Sequence, residues 1–342
     1  MNTYNLCFIG FGNVGRALAR LLQEKTPELR DRYGIEWRIT GMATRRMGWI
    51  ANPNGLDVSA LLAGGTAAEH SSLSLNDVHE WLEAAQADVL FEVSSLNPQT
   101  GQPAIENLRA ALEYGAHAIT ANKGPVVHAY RELHELAVSK GKRFLFESTA
   151  MGGAPIFSLF RECLPAAKVL RFRGIFNSTT SVIIEEMEAG RSFDEAVNKA
   201  QSMGIAETDP SNDVDGWDAT VKVCAIATVL MGMPLKPEEV QREGIRALSA
   251  EMVQEARRAG KPFKLVSQAE YRDGHILASV RPQQLASDDP LASARGASLM
   301  AHFEMDVLPG LSVKLDEMND TGPRSTAYGL LADFVHAVKV RE

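Results

Sequence analysis

Several features that would mark a secreted or membrane protein are scarce in this 342-residue sequence. Its three cysteines, Cys7, Cys163 and Cys224, lie far apart, each in an apolar run, without CxxC or metal-ligand spacing. We therefore expect buried free thiols, a reducing environment and a cytoplasmic location. No apolar run is long enough to cross a bilayer, so we expect no membrane partner. The N-terminal MNTYNLCFIG lacks the basic region and cleavage site of a signal peptide.

Positive charge is also in short supply. The chain has 35 Lys and Arg against 43 Asp and Glu, for a net charge of −8, and the basic residues form no cluster. This balance argues against nucleic acid or an anionic membrane as a partner. The hydrophobic share of 45% and the charged share of 23% are those of an ordinary globular protein. The length suggests two domains.

The N-terminal segment has the pattern strand, glycine turn, helix. The apolar run Tyr4–Ile9 is followed by the G-x-G-x-x-G sequence Gly10-Phe11-Gly12-Asn13-Val14-Gly15 and then by apolar residues at helical spacing. In such a turn Gly10 permits the tight bend, Gly12 lets a pyrophosphate approach the backbone, and Gly15 lets the helix pack on the strand. The pattern predicts a dinucleotide site. The alternative is a glycine-rich turn in some other α/β protein.

The end of the predicted second strand bears on the choice of cofactor. Domains that prefer NAD usually place an acid there to bind the ribose 2′-hydroxyl. This chain instead has Arg45 and Arg46 after the strand at residues 37–43. A guanidinium suits a 2′-phosphate, so the sequence favours NADP over NAD. The alternative is that both arginines are simply solvated.

Strands and helices alternate through the first half of the chain. We predict strands at 88–93, 116–120 and 143–147 and helices at 105–114 and 130–140. This alternation indicates an α/β fold with a Rossmann-type, doubly wound parallel sheet. Lys123 follows the strand at 116–120, so we expect it at the ligand crevice where the parallel strands end.

An acid-rich segment at residues 205–222 dominates the second half. It contains five acids, Glu207, Asp209, Asp213, Asp215 and Asp218, and then leads into an apolar helix that starts at Trp217. Asp218 and Lys222 are i,i+4 neighbours on that helix. The alternative is a surface loop beside an ordinary helix salt bridge. We expect Asp209 and Asp215 to stabilise turns.

A strand predicted at 169–176 runs into a series of small hydroxyl residues, Asn177-Ser178-Thr179-Thr180-Ser181. Such a series caps a helix or contacts a polar substrate. The mixed strands and helices that follow favour a second, α+β domain. A terminal helix is predicted at 325–340.

Motifs along the whole chain resemble those of homoserine dehydrogenase. In order they are G-x-G-N-V-G, E-V-S…T-G-x-P-A, T-A-N-K-G-P, E-x-x-x-x-G-G-x-P-I, G-I-x-N-x-T-x-S and G-x-A-E-x-D-P-x-x-D-x-x-G-x-D-x-x-x-K. The resemblance is to the short form without an ACT regulatory domain. It implies the reversible, NAD(P)-dependent reduction of L-aspartate 4-semialdehyde to L-homoserine, a small-molecule substrate and a homodimer. It also implies a nucleotide domain at 1–147 completed by 319–342, with a substrate-binding and dimerisation domain at 148–318.

The resemblance also assigns roles to particular residues. The catalytic residues are Lys222, Lys123 and Asp218. The substrate-binding residues are Glu207, Asp213, Thr179 and Lys123. The cofactor-binding residues, with the two arginines above, are Gly10, Gly12, Asn13, Val14, Gly15, Ser94, Asn122, Lys123 and Gly322. A monovalent cation, Na⁺ or K⁺, is expected on the backbone carbonyls of Glu147, Ala150, Gly152 and Ala154.

Lys222 is the leading proton donor to the substrate carbonyl oxygen, oriented by Asp218. Lys123 is the alternative donor or an electrostatic partner on the cofactor side. Ser178 and Ser181 depart from the family's usual Asn-Gly-Thr-Thr-Asn. One alternative is therefore a related dehydrogenase of another small amino- or hydroxy-acid. Another is a catalytically silent nucleotide-binding regulator.

Overall fold

The structure is a computed structural model that describes residues 1–64, 75, 77–316 and 323–339. Gly322, predicted to bind the cofactor, lies outside the described residues. The chain divides into two compact units. Unit 1 comprises Met1–Gly153 and the chain from Pro323 onward, and unit 2 comprises Ala154–Gly322. No described helix is both long and apolar enough to pass through a membrane.

Unit 1 is built on a six-stranded sheet in the order β3-β2-β1-β4-β5-β6. Its strands are β1 Asn2–Ile9, β2 Ile35–Thr44, β3 Gly48–Ala51, β4 Val89–Glu92, β5 His117–Thr120 and β6 Phe144–Leu145. Neighbouring strands are parallel throughout, except that β3 runs antiparallel to β2. The Rossmann-type sheet expected from the sequence is confirmed. The short edge strand β3 was not predicted.

The helices of unit 1 connect these strands. They are α1 Asn13–Tyr33, α2 Val58–Leu62, α3 Val78–Ala85, α4 Ala104–Tyr114, α5 Lys123–Ser139, α6 Ser148–Met151 and, from the end of the chain, α13 Arg324–Val338. The predicted start of α5 at Tyr130 was wrong. The helix begins at Lys123, because the Asn122 side chain caps it by accepting a hydrogen bond from Gly124 N at 3.1 Å. Non-helical dihedral angles at Ala129 interrupt the apolar periodicity.

The C-terminal helix α13 supplies part of the core of unit 1. Its buried residues cluster with those of β1, β4 and α1. The Phe334 ring packs edge-on against Tyr4, with centroids 6.0 Å apart, and against Phe91 at 6.2 Å. The division between the units therefore lies after α6, beyond the expected residue 147. Ser148 of α6 donates a hydrogen bond to Thr326 O of α13 at 2.6 Å.

Unit 2 contains a second six-stranded sheet in the order β12-β11-β7-β9-β10-β8. Its strands are β7 Val169–Ile175, β8 Gln241–Arg242, β9 Phe263–Arg272, β10 His275–Gln284, β11 Leu299–Met305 and β12 Leu311–Leu315. The pairings are antiparallel apart from β8 with β10. The unit is therefore α+β, as expected.

The helices of unit 2 lie before, within and after the acid-rich segment. They are α7 Ile156–Ser158, α8 Ser178–Glu188, α9 Phe193–Ser202, α10 Ser211–Val214, α11 Trp217–Leu230 and α12 Ala250–Arg258. A π-helical turn at Leu159–Cys163 follows α7. The four-residue α10 was not predicted, because one turn is too short to show a helical period.

The expectation of three buried thiols was wrong for Cys163. That residue is exposed on the π-helical turn, whereas Cys7 and Cys224 are buried. Burial raises the pKa of the Cys7 thiol to about 12 and also raises the pKa of Cys224. The apolar neighbours of Cys163 in the sequence do not determine which way its side chain faces.

Close packing of α13 on α6 leads to a stability prediction for Gly329→Ala. A Cβ at Gly329 would lie 2.4 Å from Ser148 Oγ and 2.9 Å from Gly152 O. Because overpacking outweighs the better helix propensity of alanine, we expect a net loss of roughly 1–2 kcal/mol in the free energy of unfolding. Denaturant unfolding without nucleotide measures it.

The matched control is Gly12→Ala. A Cβ at Gly12 would meet nothing within 4 Å, and its φ of −79° is ordinary for alanine. The unfolding free energy of this variant should stay within about 1 kcal/mol of the wild type. A Gly329→Ala protein as stable as this control would contradict the packing argument.

Candidate active site

The acid-rich segment places one ion pair at the start of α11. Gly216 takes the left-handed conformation, φ +79°, at the turn just before the helix. One turn apart on α11, Lys222 Nζ lies 2.8 Å from Asp218 Oδ2, and the two side chains are only 14% and 20% exposed. Lys222 Nζ also donates to Phe176 O at 2.6 Å. The pair is thus anchored to the end of β7 and is more enclosed than an ordinary surface salt bridge.

Asn177 connects this pair to a second carboxylate. Its Nδ2 donates to Asp213 Oδ1 at 2.6 Å and to Asp218 Oδ2 at 3.0 Å. We call Asn177, Asp213, Asp218 and Lys222 the acid–lysine cluster. Asn177 was not predicted individually as a site residue, although the series it begins was expected to cap a helix or to contact a polar substrate. The signal that was available is its position between a predicted strand and a hydroxyl-rich helix start.

The electrostatics of the cluster centre on Asp213. Burial, and then repulsion from Asp218, raise the pKa of its carboxyl group. Hydrogen bonds from Asn177 and Thr179 and the charge of Lys222 act in the opposite direction. The structure thus holds two acids beside a single lysine, with neutral donors supplying the remaining contacts.

The other acids of the segment are used differently. Asp209 accepts a hydrogen bond from Ser211 N at 3.1 Å, which fixes a turn. Asp215 pairs with Arg246 at 2.5 Å. The Glu207 side chain is exposed, and the described contacts do not join it to the acid–lysine cluster. Its role in binding the substrate amine stays a prediction.

Thr179, Thr180 and Ser181, which follow β7, are buried, and Ser178 is half-buried. Thr179 Oγ1 donates to Ile205 O at 3.1 Å and ties α8 to the start of the acid-rich segment. Ser181 Oγ donates to Asn177 O at 3.1 Å. The series therefore caps α8, through the Asn177 side chain, and also supports the acid–lysine cluster. The Ser181 hydroxyl group is already used within the protein, by Asn177 O. The serine in place of the family's usual asparagine at this position therefore does not by itself indicate another substrate.

In unit 1 the glycine turn has the properties expected of a pyrophosphate site. Gly10 has φ +93°, and a Cβ there would lie 2.6 Å from Val93 O. A Cβ at Gly15 would lie 2.9 Å from Gly10 O, whereas at Gly12 the space is open. The N-terminus of α1 has no side-chain cap, so its first N–H groups are available to an anion. These residues fit a dinucleotide.

Arg45 and Arg46 are both exposed at the end of β2. The neighbouring Ala43 O accepts a hydrogen bond from Gly10 N at 2.9 Å, which brings this strand end beside the glycine turn. The structure therefore brings together the two features from which the cofactor preference was inferred.

A buried polar network lies where β4 and β5 end. The carboxyl group of Glu92 accepts hydrogen bonds from Ser94 N and from the Ser94 hydroxyl group, and it contacts Thr120 Oγ1 at 3.2 Å and the Asn122 side chain. Burial raises the pKa of Glu92, and these hydrogen bonds oppose the shift. The network positions Ser94 and Asn122 and sets the start of α5, where Lys123 is the first residue. Glu92 was not predicted as a functional residue, although the sequence shows it as an acid at the end of an apolar strand.

The residues predicted to bind a monovalent cation lie around α6. Glu147 precedes this helix, Ala150 lies in it and Gly152 follows it, while Ala154 begins unit 2. Among the described residues there is no group of three or more His, Cys, Asp or Glu side chains that could hold a metal ion. The cation site rests on backbone carbonyls and stays a prediction.

Comparison with known proteins identifies the family. A family profile described as "Homoserine dehydrogenase" matches residues 155–335, and one described as "Homoserine dehydrogenase, NAD binding domain" matches residues 10–147. The chain is 35% identical to an "NAD(+)-dependent homoserine dehydrogenase" of Pseudomonas canavaninivorans, covering 98% of this chain and 96% of that protein. It is 32% identical to a homoserine dehydrogenase of Methanocaldococcus jannaschii, covering 97% and 98%. The chain belongs to the homoserine dehydrogenase family.

Solved structures agree with this assignment. A putative homoserine dehydrogenase from Archaeoglobus fulgidus has a TM-score of 0.86 at 28% identity, covering 98% of this chain and all of that one. A mutant hyperthermophilic archaeal homoserine dehydrogenase in complex with NADPH has a TM-score of 0.81 at 30% identity, covering 99% and 100%. The protein is thus an oxidoreductase with a dinucleotide-binding domain and a catalytic domain.

The raised pKa of Asp213 predicts a pH-dependent effect of Asp213→Asn on stability. The folded protein holds this proton more tightly than the unfolded chain does. Wild-type stability is therefore lost as the pH rises from the unfolded value, about 4, through the folded one. Since asparagine carries no such proton, the unfolding free energy of the variant relative to wild type should increase over that range. Denaturant unfolding at a series of pH values measures it.

Asp209→Asn is the matched control. Hydrogen bonds from Ser211 lower the pKa of the exposed Asp209. The unfolding free energy of Asp209→Asn relative to wild type should therefore stay constant or decrease as the pH rises. If the relative stabilities of the two variants changed with pH in the same way, Asp213 would not be an enclosed carboxyl group with a raised pKa.

Proposed function

We propose that this protein catalyses the reversible reduction of L-aspartate 4-semialdehyde to L-homoserine with NADPH or NADH. The observation that carries the proposal is the acid–lysine cluster, in which Lys222 is held by Asp218 and Phe176 O beside a second carboxylate. A nucleotide-binding regulator without activity would not need this arrangement. The family membership supplies the reaction class.

The two ends of the substrate call for different groups. Its α-ammonium needs acceptors, and we assign these to Asp213 in the cluster and to the exposed Glu207. Thr179, whose hydroxyl group interacts with Ile205 O and with Asp213, holds this part of the site together, and we assign it to the substrate as well. A small substrate with a positive amine at one end and a carbonyl at the other suits such a polar pocket.

We assign the transfer of the proton to Lys222. An ammonium group has three N–H donors, and Asp218 and Phe176 O account for two. The third donates to the carbonyl oxygen of the semialdehyde, stabilising the negative charge that develops there. The bound nicotinamide cofactor supplies the hydride to the carbonyl carbon. Lys222 then gives its proton to the oxygen, which completes the alcohol, and the reverse reaction returns the proton.

We place the cofactor on unit 1. The glycine turn, with the N–H groups of Asn13 and Val14, would hold the pyrophosphate. Ser94, Asn122 and Lys123 lie at or just beyond the ends of β4 and β5, where a parallel sheet presents its ligand crevice. Lys123 is the alternative proton donor or an electrostatic partner of the cofactor. Gly322 is assigned to the cofactor from the family resemblance alone.

We further propose that NADP is preferred over NAD. The support is the pair of exposed arginines beside the glycine turn and the NADPH bound to the archaeal relative. The relative from Pseudomonas is named as NAD(+)-dependent, so kinetics with both cofactors are the direct test of this preference.

Two features are carried over from the family resemblance. They are a homodimer and a Na⁺ or K⁺ ion on the carbonyls around α6. A cytoplasmic location is proposed from the cysteines, since the buried thiols of Cys7 and Cys224 suit a reducing compartment. A dehydrogenase of another small amino- or hydroxy-acid is the competing function, motivated by Ser178.

Loss of Lys222 tests the proposed chemistry. We expect Lys222→Ala to lower kcat for homoserine oxidation by about 10²–10⁴-fold, because the general acid–base group is removed. The affinity for NADPH, followed by its fluorescence, should not change. Lys199→Ala, an exposed lysine on α9, is the matched control and should behave as wild type. A wild-type protein that binds NADP but leaves both homoserine and the semialdehyde unchanged would refute the function.

The double variant Arg45→Ala, Arg46→Ala tests the cofactor preference. Removing a charged partner of the 2′-phosphate should raise KM for NADP by roughly 10–100-fold. KM for NAD should stay the same, since NAD lacks this phosphate. Steady-state kinetics with each cofactor measures both. Equal changes for the two cofactors would mean that these arginines do not read the phosphate.

A further inference from the structure

Asn177 occupies an unusual position at the turn between β7 and α8. It is buried, and every polar atom of its side chain is engaged. The amide nitrogen donates to Asp213 and to Asp218, and Oδ1 accepts from Thr180 N at 2.8 Å. One residue therefore caps a helix and bridges two carboxylates that come from α10 and α11.

The chemistry of the amide fixes its orientation. The NH₂ group has two N–H donors, and each is directed at one carboxylate. If the amide were turned over, its oxygen would face two negative charges and its nitrogen would face the N–H of Thr180. Both contacts would then be repulsive. The neighbours of Asn177 thus permit a single arrangement.

The charges around Asn177 explain why such a donor is needed. Asp218 has Lys222 as its ion-pair partner at 2.8 Å. Asp213 is repelled by Asp218 and is influenced by the charge of Lys222, while its hydrogen bonds come from neutral groups, Asn177 and Thr179. Of these two, Asn177 is the neutral group that donates to both acids.

We propose that Asn177 is a positioning residue that holds Asp213 toward the substrate amine and Asp218 toward Lys222 in one fixed arrangement. It touches neither substrate nor cofactor in this role. It acts through the two carboxylates, so that amine binding and proton transfer share one rigid element. This inference rests on the function proposed above.

Two substitutions separate positioning from helix capping. Asn177→Ser and Asn177→Asp both keep an oxygen that can cap α8, because Ser and Asp are as good at this position as Asn. Both lose the amide donors, and Asn177→Asp adds a third negative charge. Ser249→Ala, which removes the cap of α12, is the control for the loss of a cap alone.

We expect Asn177→Ser to remain folded, with a stability deficit that depends on pH, and to lose about 10–100-fold in kcat/KM for homoserine, through both kcat and KM. The loss of the amide donor raises the pKa of Asp213 further. The acid limb of the kcat/KM profile should therefore move to higher pH, and further in Asn177→Asp. Ser249→Ala should lower the melting temperature while its pH profile stays in place.

Both Asn177 variants could instead keep kcat/KM within about twofold of wild type, with an acid limb at the same pH. That result would reduce Asn177 to a helix cap and overturn the proposal.

If wild type itself turns over neither substrate, the proposed function fails, and the positioning role is tested by stability. The amide donors stabilise the ionised acids, so the deficit of Asn177→Ser should grow from about pH 4 to about pH 7. A deficit independent of pH would overturn the inference.

Discussion

Two carboxylates and one lysine share a partly enclosed site in unit 2, and the rest of that unit is arranged so that they can coexist. Coulomb repulsion between acids grows as water is excluded, and burial alone already disfavours their ionised forms. Hydrogen-bond donors from three parts of the chain reduce this repulsion. They are Asn177 between β7 and α8, Thr179 on α8 and Lys222 on α11. The same groups that relieve the repulsion also determine where the charges lie.

A similar local device occurs in unit 1. Asn122 lies two residues after β5 and caps α5, and its side chain also bonds the buried carboxyl group of Glu92. Asn177 lies two residues after β7, caps α8 and bonds Asp213 and Asp218. In both cases one side-chain amide caps a helix and hydrogen-bonds a carboxyl group. Each amide also lies next to residues that are assigned to the chemistry. Strand-to-helix turns can thus be rigid enough to carry functional groups.

The sequence predicted the features that depend on local pattern. The glycine turn, the parallel sheet of unit 1 and the pairing of Asp218 with Lys222 follow from spacing and periodicity. The roles of Asn177 and Glu92 depend on partners far away in the chain, so the local pattern showed only that each lies near a strand end. The start of α5 was misplaced because Asn122 caps the helix ahead of the apolar run, and Cys163 was misplaced because its apolar sequence neighbours do not determine which way its side chain faces.

The contribution of α13 to unit 1 has a consequence for biosynthesis. The core around Phe8, Phe91 and Leu18 is completed by Phe334 and its neighbours, which are synthesised after all of unit 2. Unit 2 is continuous in sequence, whereas unit 1 is built from two separate stretches on either side of it. Unit 1 therefore cannot complete its core until synthesis has passed through unit 2 and reached α13. Until then its apolar sheet face remains open, a natural point of engagement for a chaperone.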